Sequence, residues 1–255
     1  MLETIVLSWR LTQRHWAIYR KDLFANILPT LTDPAFFILS LGIGLGAYVS
    51  DLKGMHYVTY MAPGLIVSAA LFTSFYETSY NFYVRLTYEG IYKAALTTPI
   101  GVKEILIGEA FWVALKGAGM SSCVGVVLLA FGVVEPNYIF LLPILGSLVG
   151  LSCGAIGLIA TSLVKNINQF QTIHSLLINP MFFFSGIFFP ITDLPKVLQV
   201  ISKLSPLYHG VRMGQEILWN GNIAAAIAFH GPCLVIMSIF FCLISYRLIY
   251  SKLYT

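Results

Sequence analysis

The chain has 255 residues, of which 15 are Lys or Arg and 11 are Asp or Glu, so charged types make up 10%. Hydrophobic types reach 58%, and mean hydropathy is +0.81. Soluble domains carry roughly 25% charged residues, so this composition excludes an ordinary cytosolic enzyme, a disordered chain and a nucleic-acid binder with a basic surface. It points to a chain whose solvent is mostly lipid.

Residues 1–22 read as an amphipathic helix lying in the membrane interface. Ile5, Trp9, Trp16, Tyr19 and Leu23 share one face at helical spacing, while Arg10, Arg14 and Lys21 share another. A plain membrane-flanking segment is the alternative. The pattern does not resemble a cleaved signal peptide, because the apolar run that follows is too long and no A-x-A site closes it.

Six apolar runs follow, at 23–49, 56–84, 105–134, 136–164, 166–192 and 217–246, the last becoming a span near Ile223. A span needs roughly 20 apolar residues, so each run can cross a bilayer with some tilt. Pro29 and Pro34 predict a kinked start to the first. The expected fold is an all-α integral membrane protein with six transmembrane helices, preceded by the interface helix.

Between the second and third runs lies 85–104, RLTYEGIYKAALTTPIGVKE. Its first part predicts a short helix ending near Thr97 and Thr98, where Pro99 blocks continuation. Mixed charge on such a helix suits docking onto a soluble partner. Between the fifth and sixth runs, 190–216 predicts a re-entrant or amphipathic element. Thr192 or Asp193 would cap a helix with Pro195 in its first turn, and Leu194, Leu198, Ile201 and Leu204 would form its apolar stripe.

Charge placement sets orientation. Counting short loops, Arg10, Arg14, Arg20, Lys21, Arg85, Lys93, Lys103, Lys165, Arg247 and Lys252 fall on one side. Lys53, Lys196, Lys203 and Arg212 fall on the other. The positive-inside rule then puts both termini in the cytoplasm.

Motifs that carry soluble chemistry are missing. There is no G-x-x-x-x-G-K-[ST] and no H-E-x-x-H, and His15, His56, His174, His209 and His230 show no metal-ligand spacing. Cys123, Cys153, Cys233 and Cys242 sit within apolar runs and read as small buried hydrophobes. Gly150-Leu-Ser152-Cys-Gly154 matches G-x-S-x-G, a motif that needs a strand–turn–helix elbow. Here it lies within an uncharged helical run, where Gly146, Gly150 and Gly154 form a small-residue stripe for close helix approach. Gly42 and Gly46, and Gly117, Ser121 and Gly125, read the same way.

Charges inside a span are costly and usually paired or functional. Glu77, Glu109 and Lys116 fall within one depth range of the second and third runs, which predicts an intramembrane polar cluster. Its roles could be structural pairing, substrate passage or proton coupling. Aromatics crowd two places, Phe72 to Tyr83 and Phe182 to Phe189, and read as interfacial belts.

Six stretches carry a family resemblance: GIGLGAYV (42–49), MAPGLI (61–66), FYETSYNFYVRLTYEGIYKAALTTPI (75–100), GEAFWVALKG (108–117), NPMFFFSGIFFPITDLP (179–195) and SPLYHG (205–210). In this order they resemble the permease subunit of type-2 ABC exporters, and within it the lipooligosaccharide-export branch typified by nodulation protein J. There is one departure: Arg212 precedes Glu216, where the family places the acidic residue first. The resemblance implies a single permease domain over 1–255, non-catalytic in itself, that pairs as two copies with two copies of a separate ATPase. ATP and Mg would sit on that partner, with no cofactor or metal on this chain. Arg85, Glu89, Tyr92, Lys93, Leu96, Thr98 and Pro99 would couple to it. The implied cargo is an amphiphile such as a lipooligosaccharide or other lipid-linked saccharide, exported across the bacterial inner membrane. A hydrophobic-drug exporter, a proton-coupled transporter and an intramembrane hydrolase using Ser152 are the alternatives.

Overall fold

The structure is a computed structural model that describes residues 2–37, 39, 40, 44, 52 and 54–254. Most of the second half of the first apolar run, Gly42 and Gly46 included, lies outside the described residues. Among those described the chain is helical, with one isolated bridge between Leu52 and Met55.

Helix α1 (Leu2–Tyr19) passes through a 3-10 turn (Arg20–Asp22) into α2 (Leu23–Phe37). Helix α3 (Tyr57–Tyr76) continues through a π turn (Glu77–Asn81) into α4 (Phe82–Thr87). After Gly90, at a left-handed φ of 65°, comes the short α5 (Ile91–Ala95). The long α6 (Val102–Ala130) follows, its start held by the Gly101 N–H donating to Glu104 Oε2 at 3.0 Å. Next are α7 (Leu142–Leu163), α8 (Gln169–Ile173), a π turn (His174–Ile178) and α9 (Asn179–Phe183). The C-terminal part comprises α10 (Lys196–Lys203), α11 (Pro206–Asn220), α12 (Ile223–Ala225), a π turn (Ala226–His230) and α13 (Gly231–Tyr254).

Among the described residues, four helical stretches are long and apolar enough to cross a membrane: Tyr57–Thr87, Val102–Ala130, Pro136–Leu163 and Ala226–Leu253. Their most apolar windows are 78%, 39%, 50% and 17% buried inside the protein, so the first is central and the last peripheral. The predicted run 166–192 is helical only from Gln169 to Phe183, 15 residues or about 22 Å. It ends where Phe184 leaves the helix and Gly186 takes φ 84°.

Lipid chains are as apolar as leucine, so these helices gain little from hiding apolar surface from one another. Small residues and interhelical hydrogen bonds hold them instead. A Cβ on Gly150 would lie 2.9 Å from the Val113 carbonyl and 2.8 Å from Ser74 Oγ, so α7 rides directly on α6 and α3. Gly146 meets Gly117 and Ser121, and Gly154 meets Val113, so the predicted stripe is the contact line. Ser121 donates to the Ile66 carbonyl at 2.9 Å, Ser74 to Val113 at 3.3 Å and Thr161 to Thr78 at 2.8 Å. Lys252 on α13 donates to the Thr161 and Val164 carbonyls at 2.7 and 2.8 Å. A cation there also complements the negative end of α7.

The segment 190–216 differs from expectation in its boundaries. Thr192 and Asp193 belong to a 3-10 turn, Pro195 is the N-cap of α10, and Pro206 starts α11 with Ser205 accepting from Leu207 N at 3.2 Å. Proline breaks one helix and opens the next because its missing N–H costs nothing in a first turn. Val197, Val200 and Ile201 of α10, and Leu204 at its C-cap, are exposed, while Gln199 turns back to the Leu194 carbonyl at 2.8 Å. Arg212 pairs with Gln215 Oε1 at 3.1 Å, and Glu216 accepts from Asn220 at 2.8 Å.

Candidate functional site

The polar cluster lies where α1, α4, α5 and α6 meet. Glu77, Asn81 and Arg85 follow one another at intervals of four along a single helical stretch. In an unbroken α-helix the residue eight positions on stands about 80° round the axis. The π turn at Glu77–Asn81 acts as one inserted residue and brings that offset to about 20°. Arg85 therefore folds back over Glu77.

Its guanidinium is the hub. Arg85 Nη1 lies 2.9 Å from Glu77 Oε1 and 2.9 Å from His15 Nδ1, and Nη2 lies 3.2 Å from Glu109 Oε2. Lys116 Nζ donates to Glu77 Oε2 at 2.7 Å, and Asn81 donates to the same oxygen at 3.0 Å. Glu109 Oε1 accepts from the Tyr92 hydroxyl at 2.5 Å and faces His15 Nε2 at 2.8 Å. Burial, reinforced by the Glu109 carboxylate, pushes the Tyr92 phenol well above the usual tyrosine range, so it stays a donor. Two carboxylates and two permanent cations thus sum to zero in a buried setting, the arrangement that burial of charge demands.

Sequence reasoning placed Glu77, Glu109 and Lys116 together. The structure joins Lys116 to Glu77 but gives Glu109 to Arg85, His15 and Tyr92. Seven residues on one helix separate Glu109 and Lys116 by about 10 Å, a gap that Arg85 closes through Glu77. Arg85 and Tyr92, expected on the coupling surface, are buried, at 8% and 0% exposure. The reason for Arg85 is that the helix of the second run extends to Thr87 and carries it inside. Glu89, Lys93, Thr98 and Pro99 are exposed and Leu96 is half-buried.

His15 is the residue that sequence reasoning missed. Most of the predicted apolar face of α1 is exposed, with Trp9 and Trp16 49% and 47% accessible, while Tyr19 is half-buried against Trp112 and Arg10 is exposed. Ser8, Leu11, Thr12 and His15 pack inward instead, at a spacing of three and four. Thr12 donates to the Gly108 carbonyl at 3.1 Å, where a Cβ on Gly108 would stand 2.9 Å from the Ser8 carbonyl. The small polar stripe was the available signal.

The two aromatic groups are not separate belts. Phe72 and Phe182 rings lie 5.2 Å apart, and His174 packs against Phe72, Phe75 and Tyr76 and bonds the Tyr76 hydroxyl at 3.1 Å. They form one seam because 169–183 folds against α3. Ser152 bonds Ser238 Oγ at 2.6 Å and the Leu148 and Leu234 carbonyls, so its neighbours are packing partners rather than a base. His209 and His230, distant in sequence, meet at 3.1 Å.

Two cavities share the Glu77–Lys116 pair as a common wall, together with Asn26 and Asn81. One, of about 310 Å³, is lined by Phe37, Leu65, Ala69, Phe72, Met120 and Phe182. The other, of about 340 Å³, is lined by Arg14, Tyr19, Asp22, Arg85, Glu89 and Trp112. Lys116 Nζ stands 4.8 Å from the Tyr19 ring centre. The first chamber is the more apolar of the two, though Ser68, Thr73 and Tyr76 also stand in its wall, and such a pair fits a molecule with a tail and a head.

Residues 7–219 match the family model described as ABC-2 type transporter. The chain is 30% identical over 214 residues to nodulation protein J of Rhizobium meliloti (strain 1021), covering 84% of this chain and 80% of that protein. It is 29% identical over 238 residues to nodulation protein J of Rhizobium leguminosarum bv. trifolii, covering 92% and 89%. It is 22% identical over 189 residues to the inner membrane transport permease YadH of Escherichia coli (strain K12), covering 73% of each. With four apolar membrane-length helices and a match over most of its length, the chain belongs to the ABC-2 type transporter family, as a membrane permease subunit.

Proposed function

We propose that this chain is the membrane half of an ATP-driven exporter that moves an amphiphile of the lipooligosaccharide or lipid-linked saccharide type outward across a bacterial inner membrane. The observation that carries the cargo class is the apolar and polar cavity pair sharing the Glu77–Lys116 wall. The nodulation protein J relatives support the saccharide part of the reading. Six spans, counting 23–49 and 166–192, follow from the apolar runs, and both termini cytoplasmic from the charge asymmetry. Residues 190–216 form the outer re-entrant segment, and α1 is the interface helix, with Trp9 and Trp16 toward lipid. Two copies pair with two copies of a separate ATPase, which holds ATP and Mg.

The exposed Glu89, Lys93, Thr98 and Pro99, with Leu96 beneath them, are the surface offered to that ATPase. Tyr92 on α5 bonds Glu109 on α6, so displacement of α5 pulls on the buried network. A hydrophobic-drug exporter is the second reading, favoured by the apolar cavity taken alone. Family membership favours ATP over a proton gradient and over hydrolysis at Ser152. The test is co-expression with a neighbouring ATPase gene and purification of the assembly. Recovery of both chains, reduced at least fivefold by Glu89→Lys with Lys93→Glu while the permease stays folded, is expected. Failure to recover an ATPase, or recovery unaffected by the charge reversal, overturns the coupling assignment.

A further inference from the structure

The polar cavity holds an unusual set of groups. Among the described residues, four buried groups besides His15 Nε2 have no hydrogen-bond partner, namely Arg14 Nη1, Arg85 Nε, Trp112 Nε1 and Tyr19 Oη, and all four residues line this one cavity. Guanidinium and indole nitrogens only donate, so three of the four can be met only by an acceptor. The Glu77, Glu109, Arg85 and Lys116 charges cancel within their own network, which leaves Arg14 as the additional buried-side cation. Asp22 and Glu89 line the same cavity but are exposed, where water screens them.

We infer that the chamber bounded by Arg14, Tyr19, Arg85 and Trp112 is a binding subsite for an oxyanion headgroup, phosphate being the simplest, whose apolar tail occupies the adjoining chamber past Lys116. This rests on the amphiphile reading above and narrows it to a charged head. Arg14 supplies the charge, and the Trp112 N–H, the Arg85 Nε–H and the Tyr19 hydroxyl supply direction. A guanidinium matches an oxyanion better than an ammonium does, because its planar fork can give two parallel bonds. A neutral saccharide carries both donors and acceptors and would leave the charge of Arg14 unmatched. The Lys116 ammonium, engaged with Glu77, separates head from tail.

The test is equilibrium binding to the full-length chain in neutral detergent, without nucleotide or ATPase. Probes are dihexanoyl phosphatidic acid, inorganic phosphate and octyl glucoside as a neutral saccharide amphiphile. The phosphatidic acid is expected to bind, with inorganic phosphate a weaker competitor and octyl glucoside a poor one. Arg14→Gln weakens phosphatidic acid binding at least tenfold, Arg14→Lys recovers part of it, and Trp112→Phe, which keeps the ring and removes the N–H, weakens it severalfold. Equal competition by octyl glucoside, or unchanged binding in Arg14→Gln, overturns the assignment. Inorganic phosphate binding as tightly as the lipid overturns the head-and-tail arrangement and leaves a free-phosphate site. Because no ATPase takes part, this outcome is independent of whether an ATPase partner is recovered.

Discussion

Replacing Arg85 by methionine tests whether the buried network holds α1, α4, α5 and α6 together. In the wild type, Glu109 is 1% exposed and faces Arg85 at 3.2 Å, His15 at 2.8 Å and Tyr92 at 2.5 Å. Arg85→Met takes away its permanent cation and leaves the Tyr92 hydroxyl and the His15 ring beside it. Glu77 loses one partner but keeps Lys116 at 2.7 Å and Asn81 at 3.0 Å. The damage therefore concentrates on Glu109, and breaking a buried pair from one side costs about 3–5 kcal/mol. Arg85→Lys keeps the charge, but an ammonium cannot span Glu77, His15 and Glu109 together, so it loses roughly half of that. Adding Glu109→Gln to Arg85→Met removes the stranded charge and returns about 1–3 kcal/mol, a coupling typical of one network. The assay is denaturant-induced unfolding of the detergent-solubilised protein, with the exposed Lys103→Met as control. A loss in Arg85→Met within about 0.5 kcal/mol of that control, or strict additivity in the double variant, would refute the reasoning.

Two further outcomes follow from the packing. Gly150→Val places a branched side chain against the Val113 carbonyl and Ser74, forcing α7 away from α6 and α3, and is expected to cost about 1–3 kcal/mol or more in the same unfolding assay; an unchanged midpoint would mean the helices are not in contact there. Ser152→Ala removes hydrogen bonds to Ser238 and two carbonyls, so a loss of about 0.5–1.5 kcal/mol with transport retained is expected. Abolished transport in a folded Ser152→Ala protein would contradict the packing role.

Much of the architecture was legible from residue spacing because a bilayer restricts what a chain can do. Every backbone group in lipid must be satisfied within the chain, so long apolar runs become helices. That is why the helices Val102–Ala130 and Ala226–Leu253 stand where the apolar runs predict them. The glycine stripe was legible for a similar reason: only small residues let backbones approach, and Gly146, Gly150 and Gly154 mark the line of contact. The site was only partly legible. Glu77, Glu109 and Lys116 announce themselves as charges in apolar surroundings, whereas Arg85 looks like a loop residue and His15 like one polar residue among several on α1.

The sequence by itself determined that the chain is helical and membrane-borne, since composition and the length of its apolar runs decide these points without reference to neighbours. Only the tertiary structure decided which groups complete the charge balance. A π turn that rotates Arg85 onto Glu77, and an N-terminal helix that presents Ser8, Thr12 and His15 rather than its tryptophans to the protein, depend on contacts between segments far apart in the chain. Helical periodicity identifies the faces of a helix, but the shape and polarity of the neighbouring helix select which face is buried.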